Sequence, residues 1–557
     1  MELLLKYKYF LLALFLSIIA VFPLLQAGLP PTHDGEYNVI RFYEFDQAVR
    51  GGDWYPRWAQ DLNFGHGAPI FTFIYPFPSI VAFFLHLFGS SFIDAFKLNM
   101  FLSSLLGTMF FYLWTKKYWG EKGGLVSSIF YTYAPYHILD VYIRGSAAEA
   151  WALALFPAFL LSFDRVLDEN RSYRNIAFAA LSLAIIIFSH NILALMFFPF
   201  AISYMAFRIL LKKQKKKFIL RSFIIIVLGL GLSSIFWIPA LIEKQYVVGL
   251  ELYSFKGHFP ELYELLIPSW GSGFSGAGLE GKMSFQIGIA NLLSVFVAVL
   301  IVPFLIKRNR KAFLNIMFFL VWFFVIFCFL LEFSIPAWEK IPLMEYFQYP
   351  WRFLSLVILI TSFLSGSIFI LLPHGKSRIA FFIAISLVFL SISLTLGYTT
   401  PAYYHQRSDS YYTSRSNFID GTNYTANSFN TKWVAGIGQR SKNKVEFVQG
   451  KGSIAVIFLK NSKYLFTTKT NDAHAILRVN TVYFPGWKVM VNGQEVPISI
   501  NKNGLMEFPV LKGENRVEVD LKETSIQQLS QIFSFISVIV ICWILLGIKK
   551  IPFLVHL

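Results

Sequence analysis

The feature that most constrains this chain is a series of apolar runs, each about 20 residues long, that alternate with short basic clusters. A helix needs roughly 20 apolar residues to cross the hydrocarbon core of a bilayer. The run at 192–211 precedes the basic cluster 212–217, and the run at 285–306 precedes the cluster 307–311. Only 15% of the residues are charged, against roughly 25% in soluble domains. The sequence therefore predicts a polytopic α-helical membrane protein.

About twelve spans are predicted, with the basic clusters on the cytoplasmic side of the membrane. The net charge of +17 then reflects these clusters and does not indicate a nucleic-acid partner. Both termini are expected in the cytoplasm, and the first span is expected to be retained and not removed as a signal peptide. The predicted spans are 9–27, 92–115, 124–140, 148–164, 175–189, 192–211, 219–240, 285–306, 313–333, 353–373, 379–398 and 529–547.

Prolines interrupt the apolar segment 70–90 at Pro76 and Pro78. If this segment crossed the membrane, Lys116 and Lys117 at the end of the next run would lie outside, against the positive-inside rule. We therefore predict an interfacial or half-inserted helix, in which prolines are also less costly.

The chain divides into three predicted domains. Residues 1–398 form the multi-span domain, residues 399–528 form a polar β-rich domain, and residues 529–557 form a final helix with a short cytoplasmic tail. Asn492-Gly493 is typical of a type I′ hairpin turn between strands. We predict a small antiparallel β-sandwich outside the membrane, with strands at 444–448, 453–458, 475–479, 487–491 and 516–520.

The loop at 28–69 is the first polar segment after an apolar span, and we interpret it as an extracytoplasmic active-site loop. It concentrates carboxylates, arginines and aromatic residues, among them Asp34, Glu36 and Arg57. Charged groups beside a bilayer are costly unless they pair or act in function. Polar residues at the outer ends of several spans are expected to share one cavity with this loop: Arg41, Asp53, Arg144, Glu149, His190, Glu243, Gln348 and Arg352.

An outward-facing cavity with these groups suits a lipid-phosphate substrate. Transfer of a sugar from a polyprenyl phosphate needs a base for the proton of the acceptor hydroxyl and a cation for the departing phosphate. Asp34 or Glu36 is the candidate base. The candidate substrate-binding and phosphate-binding residues are Arg352, Arg144, Arg41, His190, Gln348, Glu149, Arg57 and Tyr37.

The sequence gives little indication of a cofactor. It contains no metal-binding motif of the His-Glu-x-x-His kind. A divalent cation on Asp34 or Glu36 stays open, because hard cations accept scattered carboxylates. Cys328 and Cys542 both lie in apolar spans, which argues against a disulfide framework or a cysteine metal site.

The order of features along the chain resembles the GT-C superfamily of glycosyltransferases. The resemblance rests on a first span, a large outer loop with an early acidic motif, the stretch Gly52-Asp53-Trp54-Tyr55-Pro56-Arg57-Trp58 and a proline-interrupted helix. It implies a polyprenyl-phosphate-linked sugar donor and a catalytic base at the position of Asp34. The early motif here is Asp34-Gly35-Glu36 and not two adjacent acidic residues, so the division of work between Asp34 and Glu36 stays open.

Several shorter motifs are similar to those of the 6-pyruvoyl-tetrahydropterin-synthase-related membrane proteins and of the YfhO-like proteins. No soluble pterin-type catalytic domain or zinc-binding histidine set is visible in the sequence. The motifs are His33-Asp34-Gly35, Tyr142-Ile143-Arg144-Gly145 with Glu149, Ser189-His190-Asn191, Phe236-Trp237-Ile238-Pro239-Ala240, Gln348-Tyr349-Pro350-Trp351-Arg352-Phe353 and Phe484-Pro485-Gly486-Trp487.

Structural roles stay open for the same residues. The alternatives are a helix cap for Asp34 and Glu36, a salt bridge for Arg144 with Glu149, a helix cap for His190 and a lipid-headgroup contact for Arg352.

We therefore predict a glycosyltransferase in the cell membrane. It would take a sugar from an undecaprenyl- or dolichyl-type phosphate carrier and pass it to an envelope glycan, lipid or protein at the outer face. A flippase for lipid-linked glycans is one alternative, and it would place polar residues through the middle of several spans. A non-catalytic envelope assembly protein that binds through its β-domain is another. Membrane lipids surround the chain in each case.

Overall fold

The structure is a computed structural model that describes residues 2–168, 173–249, 254–276, 281–371, 377–414, 418, 429–434 and 439–546. Residues 547–557 of the predicted C-terminal segment lie outside the described residues. The fold has a helical membrane domain, a β-domain and one final helix, α20 (Ser525–Leu546).

The helical domain contains long apolar helices and short helices that connect them. In chain order the helices are α1 (Glu2–Val21), α2 (Gly35–Arg50), α3 (Leu62–Gly65), α4 (Ile70–Phe73), α5 (Phe77–Leu87), α6 (Phe92–Thr132), α7 (Pro135–Leu139), α8 (Ala147–Asp168), α9 (Tyr173–Ser189), α10 (Asn191–Leu210), α11 (Lys215–Leu232), α12 (Ser234–Ile242), α13 (Leu262–Leu266), α14 (Ile289–Arg308), α15 (Arg310–Leu330), α16 (Ile335–Lys340), α17 (Leu354–Ser365), α18 (Ser377–Thr395) and α19 (Asp409–Thr413).

The predicted spans are present as helices. Within the described residues, nine helices are long and apolar enough to cross a membrane, or ten when α11 and α12, bent by 69°, form one span. The 41-residue α6 is broken at Gly120, where φ is 72° and ψ is −177°. If α6 counts as two spans because of this break, and the shorter apolar helix α9 also counts as a span, the number of spans comes close to the twelve that the sequence predicts.

The proline-interrupted segment 70–90 forms two short helices, α4 and α5. Pro76 precedes α5, and Pro78 lies in its first turn, where a missing N–H costs nothing. α5 has 11 residues, which at 1.5 Å per residue is about 16 Å, half the thickness of a bilayer core. A helix of this length fits the interfacial or half-inserted helix that the sequence predicts.

The β-domain consists of two antiparallel sheets, which confirms the predicted sandwich. Their orders are β1-β4-β8-β7 and β2-β3-β9-β5-β6. The two sheets share one apolar core that includes Phe466, Leu477, Val489, Phe508 and Val517. The strands are β1 (Val445–Gln449), β2 (Gly452–Lys460), β3 (Lys463–Thr470), β4 (Ala475–Val482), β5 (Trp487–Val491), β6 (Gln494–Val496), β7 (Ser499–Ile500), β8 (Leu505–Val510) and β9 (Gly513–Leu521).

Two details of the β-domain bear on the sequence predictions. Asn492 and Gly493 join β5 to β6 with positive φ angles of 52° and 83°, as the predicted type I′ turn requires. The sequence did not predict β3, β6, β7 or β8, although β3 and β8 are interior strands of their sheets.

The second half of the first polar loop, residues 51–69, packs against the β-domain. Trp58 is fully buried within the β-domain core, at 5.4 Å and 89° from the Trp487 ring. Asp53 accepts hydrogen bonds from the Asn461 Nδ2 (2.8 Å) and the Ser462 Oγ (2.7 Å) in the β2–β3 turn. We call this half of the loop, residues 51–69, the seat of the β-domain, because the β-domain packs on it. The first half, residues 28–50, packs instead against the segment before α8.

Candidate active site

The first half of the loop is held directly against the segment before α8. The Asp34 backbone N–H donates to the Arg144 carbonyl oxygen at 2.9 Å. The Asn38 Nδ2 donates to the Gly145 carbonyl oxygen at 3.0 Å. Gly145 has a φ of 63°, and a Cβ there would collide with the Thr32 side chain, so only glycine fits this position. These contacts place Asp34 beside Arg144.

Asp34 and Glu36 face different surroundings. Asp34 occupies the N-cap position of α2, but its half-buried side chain makes no capping hydrogen bond, so the alternative of a helix cap is not realised there. Glu36 lies in the first turn and acts electrostatically on Tyr412, whose pKa is raised to about 12 by burial and secondly by Glu36. The two carboxylates therefore have different neighbours, because Asp34 acts electrostatically on Tyr75 and Asp140 and Glu36 acts on Tyr412.

Glu149, the third residue of α8, is the centre of a buried ionic cluster. Its Oε2 lies 2.5 Å from the Arg144 Nη1, and its Oε1 lies 3.4 Å from the Arg352 Nε. The Tyr136 hydroxyl donates to Oε2 at 2.9 Å, and the Asp140 Oδ1 accepts from Arg144 at 2.8 Å. The predicted Arg144–Glu149 salt bridge is therefore present, and Glu149 also joins Arg144 to Arg352.

His190 faces the same carboxylate and caps α10. Its Nδ1 accepts a hydrogen bond from the Leu193 backbone N–H at 3.1 Å, so the proton of the neutral ring is on Nε2. That Nε2 lies 3.5 Å from the Glu149 Oε1. Burial lowers the pKa of His190 to about 3, although Glu149 opposes the shift. The histidine is therefore neutral. It caps α10, as the sequence predicts, and it also belongs to the ionic cluster around Glu149.

Tyr75, which the sequence analysis did not select, lies in the middle of these groups. Its ring stacks on His190 at 4.8 Å. Burial raises the pKa of Tyr75 to about 12. Four of the predicted residues are close enough to act electrostatically on it, namely Arg41, Asp34, Arg352 and Glu149.

Arg352 is buried and does not extend toward lipid headgroups. Its Nη1 donates to the Phe347 carbonyl oxygen at 3.0 Å and to the Gln348 Oε1 at 2.6 Å. Gln348 has a φ of 62°, which is strained for a residue with a side chain. The Trp351 ring lies near both arginines, 4.7 Å from Arg144 and 5.8 Å from Arg352. The residue with the strained backbone, Gln348, is thus also the one whose side chain accepts a hydrogen bond from Arg352.

Two predicted residues lie apart from Glu149. The Arg41 guanidinium lies 5.9 Å from the Tyr37 ring on α2, within electrostatic reach of Tyr75. Arg57 is buried, donates to the Ile235 carbonyl oxygen at 2.9 Å and lies 4.5 Å from the Tyr55 ring. The one cavity expected from the sequence is therefore divided, because Arg57 and Asp53 belong to the seat of the β-domain.

Several residues of the cluster were missed by the sequence analysis. Asp140 carries a weak signal, because it is a lone carboxylate between apolar residues. Tyr75, Tyr136 and Trp351 look like ordinary interfacial aromatic residues in the sequence, and only the fold brings them together. No group of three or more His, Cys, Asp or Glu side chains suited to a metal occurs among the described residues.

A second buried ionic cluster lies at the other end of α8. The Tyr118 hydroxyl donates to the Asp164 Oδ2 at 2.6 Å, and the Arg208 Nη2 lies 3.3 Å from Oδ1. The α8 sequence between Glu149 and Asp164 contains no charged residue. At 1.5 Å per residue, the two clusters lie about 22 Å apart along this helix.

The family model described as 6-pyruvoyl-tetrahydropterin synthase related domain, membrane protein, matches residues 71–401. An uncharacterized protein of Lactococcus lactis is 24% identical over 244 residues, which are 42% of this chain and 40% of that protein. The chain therefore matches two fifths of the length of this curated relative.

Three solved structures are similar in part. The mycobacterial arabinofuranosyltransferase AftD has a TM-score of 0.43 and 16% identity over 71% of this chain and 27% of its own. The Archaeoglobus fulgidus oligosaccharyltransferase has a TM-score of 0.41 and 13% identity over 78% and 58% of the two chains. ArnT from Cupriavidus metallidurans, bound to undecaprenyl phosphate, has a TM-score of 0.33 and 13% identity over 71% and 90%.

Proposed function

We propose that this chain, which belongs to the 6-pyruvoyl-tetrahydropterin synthase related family of membrane proteins, is a glycosyltransferase. It moves a sugar from a polyprenyl-phosphate carrier to a cell-envelope acceptor at the outer face of the membrane. Both termini are cytoplasmic, and the β-domain is extracytoplasmic. The observation that carries the proposal is the uncapped Asp34 carboxylate, which acts electrostatically on Tyr75 and Asp140 while its backbone N–H donates to the Arg144 carbonyl oxygen.

Asp34 is the general base. The acceptor hydroxyl oxygen forms a bond to the anomeric carbon of the donor sugar, and its proton passes to the Asp34 carboxylate. The bond from the anomeric carbon to the phosphate oxygen breaks, and the polyprenyl phosphate leaves with the electron pair. Asp34 suits this role because its side chain is half-buried and does not cap α2.

The arginines bind the departing phosphate. Arg144 makes both its ion pairs through Nη1, and a guanidinium has several further N–H donors in a fork that fits phosphate. Arg352 and Arg41 add positive charge near Tyr75. Developing negative charge is stabilised most strongly by donors that are already oriented. Glu149 orients Arg144 and Arg352, so it is a positioning residue in this proposal.

The distribution of charge favours transfer over transport. A flippase would be expected to carry polar residues through the middle of its spans. On α8 the charges lie at the two ends, at Glu149 and Asp164, with an uncharged stretch between them. Asp34, Arg144 and Arg352 lie together at one of these ends.

The test is sugar transfer in membranes supplied with radiolabelled polyprenyl-phosphate sugars. Asp34→Asn removes the base and should lower the rate by ~10²–10⁴. Glu36→Gln is the matched control, because Glu36 faces Tyr412, and it should retain most of the activity. Transfer that survives Asp34→Asn at equal expression, or that is lost in Glu36→Gln alone, would contradict the assignment of the base.

A further inference from the structure

Tyr75 lies in the short link between α4 and α5, and hydrogen bonds fix the backbone on both sides of it. The Ile74 N–H donates to the Ile70 carbonyl oxygen at 2.8 Å. The Ile80 N–H donates to the Pro76 carbonyl oxygen at 2.9 Å. A proline also restricts the residue before it to an extended backbone. The main chain that carries the Tyr75 side chain is therefore held in place.

The ring of Tyr75 is held by His190. The two rings stack with their centroids 4.8 Å apart and their planes inclined at 23°. His190 is itself fixed, because its Nδ1 accepts a hydrogen bond from the Leu193 backbone N–H at 3.1 Å. None of these contacts uses the Tyr75 hydroxyl, so the ring keeps its orientation without it.

The hydroxyl of Tyr75 is free. Within the parts of the chain that the structure describes, no group forms a hydrogen bond with it, and Tyr75 is half-buried. The Tyr55 hydroxyl also lacks a partner there, but it is fully buried, which the Tyr75 hydroxyl is not. Polar groups in a protein interior are normally hydrogen-bonded. An oriented and accessible hydroxyl without a partner is therefore suited to a ligand.

The charged groups near Tyr75 are those of the proposed reaction. Four side chains act electrostatically on it, namely Arg41, Asp34, Arg352 and Glu149. Asp34 is the proposed base, and the two arginines are proposed to bind phosphate. Because burial raises the pKa of Tyr75 to about 12, the hydroxyl stays protonated at neutral pH and can act as a hydrogen-bond donor.

We propose that Tyr75 is a further catalytic residue, whose hydroxyl donates a hydrogen bond to the phosphate oxygen that leaves the anomeric carbon of the donor sugar. Negative charge develops on this oxygen as its bond to the carbon breaks, and a donor that is already oriented stabilises it. The proton stays on Tyr75, so the bonds that form and break are those of the proposed transfer. A phenol adds a donor without adding a charge near the Asp34 carboxylate. The choice of phosphate as the ligand rests on the proposed function.

The experiment measures binding of undecaprenyl phosphate to the purified full-length protein in nanodiscs, with undecaprenol as the matched ligand that lacks phosphate. Tyr75→Phe keeps the ring on His190 and removes only the hydroxyl. It should weaken binding of undecaprenyl phosphate about 10- to 100-fold, as expected for one lost hydrogen bond to a charged group, and leave binding of undecaprenol unchanged. Tyr55→Phe removes a buried hydroxyl without a partner and, as the control variant, should bind both ligands like the wild type.

The kinetics of sugar transfer separate a catalytic role from a structural one. The hydrogen bond strengthens as charge develops on the leaving oxygen, so Tyr75→Phe should lower kcat by ~10²–10³ and change the KM for the donor less. A change in KM with kcat unaltered would overturn the catalytic role.

A second measurement keeps the test open if Tyr75→Phe does not fold. Replacing Tyr75 by 3-fluorotyrosine places a ¹⁹F label beside the hydroxyl, and its NMR signal should shift with undecaprenyl phosphate but not with undecaprenol. An unshifted signal, or equal binding of undecaprenyl phosphate by folded Tyr75→Phe and the wild type, would overturn the proposal. If the wild type binds undecaprenyl phosphate through Tyr75 but transfers no sugar, the proposed function fails while the contact with phosphate stands. If Tyr75→Phe transfers sugar like the wild type, only the role of Tyr75 fails.

Discussion

The Asp34 N–H and the Arg144 carbonyl oxygen, 2.9 Å apart, join the first polar loop to the segment before α8 through the main chain. The side chains of these two residues can therefore vary without breaking the joint. The joint depends on Gly145, because the left-handed conformation at that residue lets Thr32 approach closely.

Gly145→Ala should disrupt this joint. A left-handed alanine costs ~1–2 kcal/mol, and its Cβ would also displace Thr32. We expect lower thermal stability together with a loss of transfer. Gly281→Ala is the control, because Gly281 has a φ of 65° and nothing within 4 Å of the added carbon. If both variants lose the same stability and activity, contact with Thr32 has no special role.

Glu149→Gln should be strongly destabilising, because it leaves the buried Arg144 without its nearest carboxylate. Removing one partner of a buried ion pair costs about 3–5 kcal/mol. Chemical unfolding in detergent measures the loss. The control is Glu345→Gln at an exposed position, which should change stability little. A double variant with Arg144→Gln should recover part of the loss, and strict additivity would argue against direct coupling.

His190 predicts a pH dependence of stability. Its folded pKa, about 3, lies below the ordinary value near 6.5, so between these values the unfolded chain binds more protons. Stability is then fully present above pH ~6.5 and falls as the pH drops toward 3, by up to ~1.4 kcal/mol per unit. His190→Asn keeps an oxygen to cap α10 and should flatten this fall. The exposed His474→Asn should leave the slope unchanged, and a similar slope in wild type and His190→Asn would contradict the prediction.

The seat of the β-domain can be tested at Asp53. Asp53→Ala removes an acceptor from the half-buried Ser462 Oγ and from the Asn461 Nδ2, which keeps its bond to the Trp58 carbonyl oxygen, so we expect a loss of about 1 kcal/mol. Hydrogen exchange in the β2–β3 turn should speed up, while exchange in α17 stays the same. Ser462→Ala added to Asp53→Ala should have little further effect if the two side chains act through one contact.

The elements with a local signal were predicted well. The apolar runs predicted α8, α10 and α14 within a few residues, because each span must satisfy its own backbone in lipid. The Asn492-Gly493 pair predicted its hairpin for a similarly local reason. β3 was missed because its sequence, Lys463-Tyr464-Leu465-Phe466-Thr467-Thr468, lacks clear alternation between apolar and polar residues.

The candidate site depends on contacts that no local pattern contains. Asp53 meets Asn461, 408 residues later in the chain, and this contact separates Asp53 and Arg57 from the residues around Glu149. In the sequence, all of these charges look equally suited to one cavity. The two acidic residues Asp34 and Glu36 were also equivalent until the direction of α2 placed them in different surroundings.

The β-domain is attached to the membrane domain by the chain at both of its ends, which follow α18 and precede α20, and in addition through the seat at Trp58 and Asp53. Binding at the seat is therefore intramolecular, and a short tether gives an effective local concentration in the mM range. Contacts too weak to hold two separate molecules together are enough to keep this domain seated. A modest change at the seat would then alter the fraction of time that the domain spends away from it, while the covalent links at its two ends still keep it attached.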